Sequence, residues 1–373
     1  MRIIYIANAR IPTEKAHGIQ IMKMCESFAS GNELELVLPR RLNKIKKDPF
    51  LYYGMDETFK ITKLPCIDLI PFSGHFGNLG LWIESVTFFF PAFFYAIFKK
   101  ADLIYTRNKF ILPFALFRKN FLFEAHAFPN NYFLYSFFLK RLKGVVVITD
   151  KLKSLFLGKG ILDSRILTAP DGVDIAMFAV NCSQSEARQK LGLKQGGKIV
   201  LYTGHLYKWK GVGVLIAAAG FLPENVTVYL VGGMEKDLAN LDCRLPNVKI
   251  IGHRPYAEIP FWLKAADVLC LPNSGKEEIS RSWTSPLKAF EYMASNRPIV
   301  ASNLPSIGEI LNGENAILVE PDNPNDLARG IKKALEDEDL ALKVAAQAFL
   351  EVQNYIWQKR VQKIYEYFSV GKK

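Results

Sequence analysis

Short, continuously apolar runs alternate with helical patterns along the whole chain. In its second half these runs are "KIVLYTG" (198–204), "NVTVYLVGG" (225–233), "NVKIIG" (247–252), "DVLCLP" (267–272), "PIVAS" (298–302) and "NAILVE" (315–320). Strands that are apolar throughout are typical of a sheet covered by helices on both faces. Strands that alternate with helices are joined by right-handed crossovers, which makes the sheet parallel. The pattern therefore predicts an α/β fold of doubly wound parallel sheets.

The first half shows the same alternation, with predicted strands at 2–7, 34–39, 102–107, 121–126, 144–149 and 166–170. The chain has 373 residues, more than one compact core usually holds. We predict one domain at 1–180, a second at 181–351, and a C-terminal helix at about 352–373 that packs back onto the first. Ligands of such sheets bind outside the carboxyl ends of the strands, so we expect the site in the cleft between the two domains.

The net charge of the chain indicates which classes of partner it binds. The formal net charge is +12, which favours phosphorylated substrates, nucleic acid or an acidic membrane face. Stretches that interleave lysine or arginine with aromatic residues, as in single-strand binding proteins, are missing from the sequence, so nucleic acid is not expected. The densest basic run, "RRLNKIKK" at 40–47, is either a solvated face or a contact with an anionic membrane.

The most apolar segment is "LWIESVTFFFPAFFYAIFKK" at 81–100. Glu84 and Pro91 interrupt it, leaving an uncharged core that is too short for a spanning helix of about 20 residues. Two interpretations stay open: a buried helix, or an interfacial helix that dips into lipid.

The cellular compartment is indicated by what the sequence lacks. The N-terminus "MRIIYIANAR" does not have the pattern of a signal peptide. The five cysteines are scattered without a CxxC pair, which fits a reducing compartment and argues against a disulfide framework or a zinc site. We expect a cytoplasmic protein that contacts the inner face of the membrane, and we expect neither a bound metal nor a resident cofactor.

The loop after "KIVLYTG" is a candidate anion site. It contains Gly204, His205, Lys210 and Gly211 just before a helix. Glycines let the backbone approach a ligand, and a helix N-terminus offers free N–H groups. Lys210 adds a positive charge. The loop lacks the GxxxxGK[ST] order of a Walker loop, and the alternative is an ordinary solvated turn.

A second candidate is "SPLKAFEYMASNRPIVAS", which begins at Ser285. Ser285 is a favoured N-cap, and Pro286 suits the first helical position. Glu291 lies on the face of Leu287 and Lys288. A carboxylate there could accept hydrogen bonds from a diol such as a ribose, although a lone glutamate on a helix is usually solvated.

Two such sites at one sheet edge indicate a diphosphate flanked by hydroxyl-bearing groups. A nucleotide-sugar fits. A nicotinamide dinucleotide fits less well, because "NARIPTEKAHG" after the first strand contains no GxGxxG.

Seven segments, taken in order, resemble family 4 glycosyltransferases of the GT-B fold, also called glycosyl transferases group 1. They are "PTEKAHGIQIMKMCESFA", "FEAHAFP", "VVVITDKLK", "TAPDGVDIAMF", "LYTGHLYKWKGVGVLI", "SPLKAFEYMASNRPIVASNLPSIGEIL" and "NAILVEPDNPNDLA". The resemblance covers nearly the whole chain. It implies an N-terminal acceptor domain and a C-terminal domain for the nucleotide-sugar donor, both Rossmann-like.

The resemblance also implies residue roles in donor binding. Lys210 would hold the diphosphate, with His205 as a second contact where the family usually has arginine. Backbone N–H groups around Pro286 and Leu287 would meet the same diphosphate, and Glu291 would bind the ribose. Arg254 lies where relatives hold the nucleotide base.

Two residues of the first half receive roles in the same way. Gly18, in the first loop, would let that loop approach the phosphate and sugar. His126 would lie near the reacting carbon of the sugar. The resemblance thus names His126, Lys210 and Glu291 as the catalytic group.

One departure from the family pattern concerns the transferred sugar. Trp283 stands eight residues before Glu291, where the first glutamate of the family motif belongs. Glu277 and Glu278 could substitute through a different loop path, or could be ordinary loop residues.

The resemblance implies an enzyme that transfers a sugar from a nucleoside-diphosphate sugar with retention of configuration. Phe-rich and basic segments of the first half fit a lipid-linked or glycan acceptor, so cell-surface polysaccharide synthesis is expected. Two alternatives remain open: a nucleotide-sugar 2-epimerase of the same fold, and a non-catalytic sugar-nucleotide-binding relative.

Overall fold

A computed structural model gives the fold and describes residues 1–72, 78–234, 237 and 245–369. The chain divides into two compact units. Unit 1 comprises Met1–Pro170 together with the C-terminal helix that begins at Trp357, and unit 2 comprises Asp171–Ile356. The boundary therefore lies before the predicted 180/181, and the chain returns to unit 1 at Trp357 rather than near 352.

Unit 1 is built on a seven-stranded sheet. Its strands are β1 (Arg2–Ile6), β2 (Glu33–Pro39), β3 (Lys60–Leu64), β4 (Leu103–Thr106), β5 (Phe121–Ala125), β6 (Gly144–Val147) and β7 (Ile166–Thr168). They run in the order β3-β2-β1-β4-β5-β6-β7, and neighbours are parallel. The order reverses between β1 and β4, which marks the position where such sheets bind ligands. The six predicted strands are confirmed, and β3 is an additional one.

Helices and short helical turns connect these strands. The α-helices of unit 1 are α1 (Ala16–Ala29), α2 (Pro49–Tyr53), α3 (Asn78–Phe98), α4 (Tyr132–Leu139) and α5 (Asp150–Leu157). The 3₁₀ turns are Ile70–Phe72, Lys109–Leu116 and Asp163–Arg165. Helix Trp357–Tyr367 from the end of the chain packs on α1.

Unit 2 repeats the architecture with a six-stranded sheet. Its strands are β8 (Lys198–Thr203), β9 (Val226–Val231), β10 (Val248–Gly252), β11 (Val268–Leu271), β12 (Ile299–Ser302) and β13 (Ile317–Val319). The order is β10-β9-β8-β11-β12-β13, and neighbours are again parallel. The order reverses between β8 and β11. The two predicted parallel sheets are thus confirmed.

The α-helices of unit 2 are α6 (Ile175–Phe178), α7 (Gln184–Lys190), α8 (Val212–Ala219), α9 (Ile259–Ala265), α10 (Leu287–Ala294), α11 (Pro305–Gly308), α12 (Pro324–Glu336) and α13 (Glu338–Val352). The helix Trp357–Tyr367 of unit 1 is therefore α14. Short turns at Lys208–Lys210 and Tyr256–Glu258 are 3₁₀, and Ile279–Trp283 forms a π-helical turn.

Burial on both faces explains the apolar strands. Alternate residues of β8 enter two different cores: Ile199 and Leu201 pack on one face, and Val200 and Tyr202 on the other. Side chains of successive strand residues point to opposite faces, so a strand covered by helices on both sides needs apolar residues at every position.

Helix α3 corrects one prediction. It continues unbroken through Pro91, and Leu79–Phe98 is long and apolar enough to cross a membrane by length and composition. Its Glu84 is fully buried and pairs with Arg41, whose Nη2 lies 2.6 Å from Glu84 Oε2. Arg41 belongs to the basic run at 40–47, whose Lys44, Lys46 and Lys47 are exposed. One face of α3 is thereby fixed to unit 1.

The opposite face of α3 is exposed, so the interpretation as a buried helix is wrong for that face. Exposed side chains recur every four residues along α3, at Trp82, Val86, Phe90, Phe94 and Phe98, and Leu79 and Leu81 are exposed near its start. Such spacing places side chains on one side of a helix. Phe117, which stacks edge-on against Phe93, and Phe133 and Phe137 of α4 are also at least half exposed.

Candidate active site

The loop that leaves β8 is held by two glycines. Gly204 has φ +115° and Gly211 has φ +71°, both in the left-handed region. A Cβ at Gly211 would lie 1.7 Å from the carbonyl oxygen of Pro272, just after β11. Only glycine fits there, because any side chain would collide with fixed backbone. The loop is therefore pressed against the carboxyl end of β11, at the point where the strand order reverses.

Three rings of this loop lie in sequence over one another. The His205 and Tyr207 rings are parallel, with centroids 4.9 Å apart, and Trp209 follows Tyr207 at 6.3 Å. Tyr202 of β8 donates a hydrogen bond to the carbonyl oxygen of His205 at 2.5 Å. His205 Nδ1 also lies 3.8 Å from Asp237 Oδ2. These contacts order the loop and fix the position of His205.

Lys210 closes the loop as the last residue of its 3₁₀ turn. Its Nζ lies 3.8 Å from the centroid of the Trp209 ring. Part of the side chain is exposed, yet burial of the ammonium group lowers its pKa to about 7. An anion beside it would restore the charged form. Lys210 thus lies at the end of the loop, just before helix α8, as the sequence predicts.

The loop after β11 is tied to the same turn. Ser274 N and Ser280 Oγ both donate to the carbonyl oxygen of Trp209, at 3.0 and 3.3 Å. Ser280 belongs to the π-helical turn Ile279–Trp283. Turns of this type are rare and often lie at functional sites. The two loops at the reversal of strand order therefore form one hydrogen-bonded assembly.

The predicted start of helix α10 is corrected in detail. The helix begins at Leu287 with Pro286 as its N-cap residue. Ser285 does not cap it, because Ser285 Oγ accepts a hydrogen bond from Asp171 N at 3.1 Å. Ser285 and Pro286 are both buried. The first turn of α10 reaches the β8 loop through Lys288, whose Nζ would lie 3.7 Å from a Cβ at Gly204.

Glu291 is buried on α10 and accepts a hydrogen bond from Tyr256 Oη at 2.9 Å. Burial raises the pKa of this carboxyl group to about 7, against the effects of the Tyr256 hydrogen bond and the Lys288 charge. Tyr256 is a partner that the sequence analysis missed. A tyrosine that holds one carboxylate oxygen fixes the orientation of the other.

The remaining predicted positions of unit 2 are less enclosed. Arg254 is exposed in the loop after β10. Trp283, the residue at the place of the family's first glutamate, ends the π-helical turn and is half-buried. Glu277 is exposed, and Glu278 pairs with Arg281 of the same turn. The ion pair of Glu278 shows how the turn is stabilised.

In unit 1, His126 follows the carboxyl end of β5 and is held by a buried acid. His126 Nε2 bonds Glu124 Oε1, and the same oxygen accepts from Gln20 Nε2 at 2.5 Å. The other oxygen of Glu124 bonds Tyr105 Oη and Arg360. Arg360 is the main charge that holds the pKa of Glu124 well below its usual range, against the effect of burial. Sequence analysis missed Glu124, although a residue two positions before His126 shares its face of the strand.

Gly18 does not lie in a loop, as the sequence analysis placed it, but in the first turn of α1, where it is buried. A Cβ at this position would lie 2.1 Å from Tyr53 Oη and 2.7 Å from Thr13 Cγ2. Packing against these two side chains explains the glycine. The loop placement is wrong because α1 begins at Ala16, before the predicted helical run.

Residues 197–337 match the family model described as glycosyl transferases group 1. This match confirms the predicted resemblance. The group 1 region covers the β8 loop, the π-helical turn and helix α10. It thus contains Lys210, Trp283 and Glu291.

The group 1 region is also similar to curated proteins. The chain is 27% identical over 175 residues to "Uncharacterized glycosyltransferase MJ1178" of Methanocaldococcus jannaschii, which is 45% of this chain and 48% of the relative. The chain spans about half the length of the curated relatives it matches.

Two solved structures share the whole fold. HepE (Alr3699) of Anabaena, solved in complex with UDP and glucose, aligns with a TM-score of 0.74 at 20% identity and covers 99% of both chains. WaaG, a glycosyltransferase involved in lipopolysaccharide biosynthesis, aligns with a TM-score of 0.68 at 16% identity and covers 100% of both chains. These likenesses confirm the GT-B fold.

Proposed function

We propose that the protein is a retaining glycosyltransferase that uses a nucleoside-diphosphate sugar. The observation that carries the proposal is the arrangement at the strand-order reversal of unit 2, where Lys210 and the first turn of α10 lie together. Both features suit an anion. The group 1 match over this region and the structural likeness to a protein solved with UDP support the same ligand class.

The chemistry is displacement of a nucleoside diphosphate from the sugar. The bond from the anomeric carbon to the β-phosphate oxygen breaks, and a bond to the acceptor oxygen forms on the same face. The acceptor proton passes to the departing phosphate. Lys210, with His205, stabilises the negative charge that develops there, so the reaction proceeds without a bound metal.

The other side chains have binding and orienting roles in this proposal. Glu291, oriented by Tyr256, takes the ribose hydroxyls, and Arg254 borders the base. In unit 1, Glu124 holds the ring of His126 through Nε2, and the family resemblance assigns that ring to the transferred sugar. Because Trp283 stands in place of the family's first glutamate, one carboxylate contact to the sugar is missing. We therefore expect a donor preference that does not depend on that contact.

We propose that the acceptor is a lipid-linked glycan of cell-surface polysaccharide assembly. Similarity to WaaG supports this setting. The exposed aromatic face of α3 and α4 supports contact with a membrane, and its neighbouring exposed cations Lys100, Lys119, Lys140 and Arg141 suit anionic lipid at the cytoplasmic side.

A panel of UDP-, GDP-, ADP- and CDP-sugars tests the donor proposal by thermal stabilisation, with and without EDTA. We expect one nucleotide class to raise the melting temperature, and turnover to persist in EDTA. Lys210→Ala should abolish the stabilisation while the unliganded protein still unfolds cooperatively. Stabilisation by none of the donors would overturn the proposal.

Product analysis with labelled donor separates the alternatives. Transfer to a lipid extract supports the transferase. Interconversion of the sugar without an acceptor would identify an epimerase instead. Donor binding with neither product would favour a non-catalytic relative, an outcome for which Trp283 is the specific reason.

A further inference from the structure

We propose that Lys288 is the second cation of the diphosphate site, paired with Lys210. This inference rests on the proposed function, because it assigns a further residue to the same donor. Lys288 lies in the first turn of α10, between the two groups that the sequence analysis already places at the site: the helix N-terminus and Glu291.

The Lys288 side chain points back toward the β8 loop. Its Nζ lies 3.6 Å from the centroid of the Tyr202 ring, and a Cβ at Gly204 would lie 3.7 Å from the same Nζ. Tyr202 itself donates to the carbonyl oxygen of His205. The ammonium group therefore lies beside Gly204, where the loop that ends in Lys210 begins.

The ammonium group of Lys288 is buried without a hydrogen-bond partner. The residue is 8% exposed, and no protein oxygen among the described residues accepts from Nζ. Buried cations are normally paired, because removing a charge from water is costly. The ring of Tyr202 offers a cation–π contact, which supplies no hydrogen-bond acceptor. The three ammonium hydrogens are thus available to an anion.

Charged groups around Lys288 give the same conclusion. Burial, and then the charge of Lys210, hold the pKa of Lys288 well below its usual range, and Glu291 opposes them. Tyr202 contacts Lys288, and Tyr256 contacts Glu291. Both are neutral phenols, because burial keeps the pKa of each well above its usual range. Two mutually repelling lysines accompanied by one carboxylate form a site that a dianion completes.

In this proposal one diphosphate bridges both lysines. One phosphate would lie against Lys210 and the other against Lys288 and the N–H groups of α10. Such an arrangement would also offset the exchange of the family's arginine for His205, because a lysine that the bound anion recharges supplies a second positive charge.

Isothermal titration of UDP and GDP into the wild type, Lys288→Met and Lys208→Met tests the inference. Methionine keeps most of the length of the lysine side chain and removes its charge. Lys208 is an exposed lysine of the same loop and serves as the control. We expect Lys288→Met to weaken diphosphate binding by about tenfold or more, with uridine and guanosine binding unchanged. Lys208→Met should stay within about twofold.

Proton uptake gives a second measurement. Repeating the titration at pH 8 in buffers of different ionisation enthalpy counts the protons that accompany binding. The wild type should take up about one proton more than Lys288→Met, because the anion recharges the buried amine.

The outcomes distinguish this inference from the proposed function. If the wild type binds neither nucleotide, the proposed function and the role of Lys288 are both refuted. If the wild type binds and Lys288→Met binds equally well, or if both take up the same number of protons, the role of Lys288 is refuted while the donor site stands.

Discussion

Arg360 Nη1 lies 3.3 Å from Glu124 Oε2, and both side chains are buried. The pair joins α14, at the end of the chain, to β5, an interior strand of the first sheet. Arg360 also donates to the carbonyl oxygens of Ala169 and Pro170, at 3.2 and 2.8 Å. The C-terminal helix is therefore an integral part of unit 1, and its arginine supports the acid that holds His126.

Removing this arginine should destabilise unit 1 strongly. Arg360→Met leaves Glu124 as a buried charge without its main counter-ion, so we expect the free energy of unfolding to fall by about 3–5 kcal/mol. Urea denaturation measures it. Lys363→Met, an exposed position on the same helix, should change stability by less than about 0.5 kcal/mol. Adding Glu124→Gln to Arg360→Met should recover part of the loss. Equal stability of Arg360→Met and Lys363→Met would contradict the role of Arg360 as the counter-ion of Glu124.

Gly18→Ala should destabilise the protein through steric overlap rather than through ligand binding. The new methyl group meets Tyr53 Oη, so we expect a loss of about 1–3 kcal/mol. The cost should be smaller when alanine is introduced into Tyr53→Phe, because that variant lacks the colliding oxygen. Thermal unfolding of the four proteins measures this coupling. Gly308→Ala, where a Cβ meets no atom within 4 Å, is the control; an equal cost there would refute the packing explanation.

The sequence was sufficient for the strands and for most of their order in the chain. Both sheets are covered by helices, so their strands are apolar throughout and easily recognised. Strand β3 was missed for the opposite reason. It lies at the edge of its sheet, and its exposed Lys60 and Lys63 break the apolar pattern.

Local sequence could not show tertiary partners. The Ser285–Pro286 pair predicts an N-cap, yet Ser285 is taken by the backbone of Asp171 from another segment. Lys288 was named only as a neighbour of Glu291, because nothing in the sequence shows that its amine is buried over Tyr202. Lys210, by contrast, could be proposed from sequence, since a glycine-bounded loop after a strand is itself a local signal.

The affinity that the diphosphate adds to the nucleoside should fall as the pH rises above about 7. The pKa of Lys210 is lowered to about 7 in the free protein, and a bound anion raises it. The contribution is therefore complete below the free pKa and is lost as the pH rises toward the bound pKa. We expect the dissociation constant of uridine divided by that of UDP to fall by up to about tenfold per pH unit between pH 7 and 9. Titration calorimetry measures it, and a ratio independent of pH in the wild type would contradict the assignment.

Replacing the exposed aromatics of α3 should weaken binding to anionic vesicles. Phe90 and Phe94 of α3 are more than half exposed, and insertion of such side chains into the interface removes apolar surface from water. We expect Phe90→Ser with Phe94→Ser to reduce sedimentation with phosphatidylglycerol-containing vesicles by about tenfold or more, while the melting temperature stays close to that of the wild type.

The matched control for this surface is in unit 2. Leu342 and Leu350 are more than 60% exposed on α13. Replacing both by serine removes two exposed apolar side chains that are far from α3 in the sequence. This variant should sediment like the wild type. Wild-type binding should also weaken with added salt and with phosphatidylcholine alone, because Lys100, Lys119, Lys140 and Arg141 contribute through charge. If the two double variants sediment equally, the aromatic face of α3 is not the surface that contacts lipid.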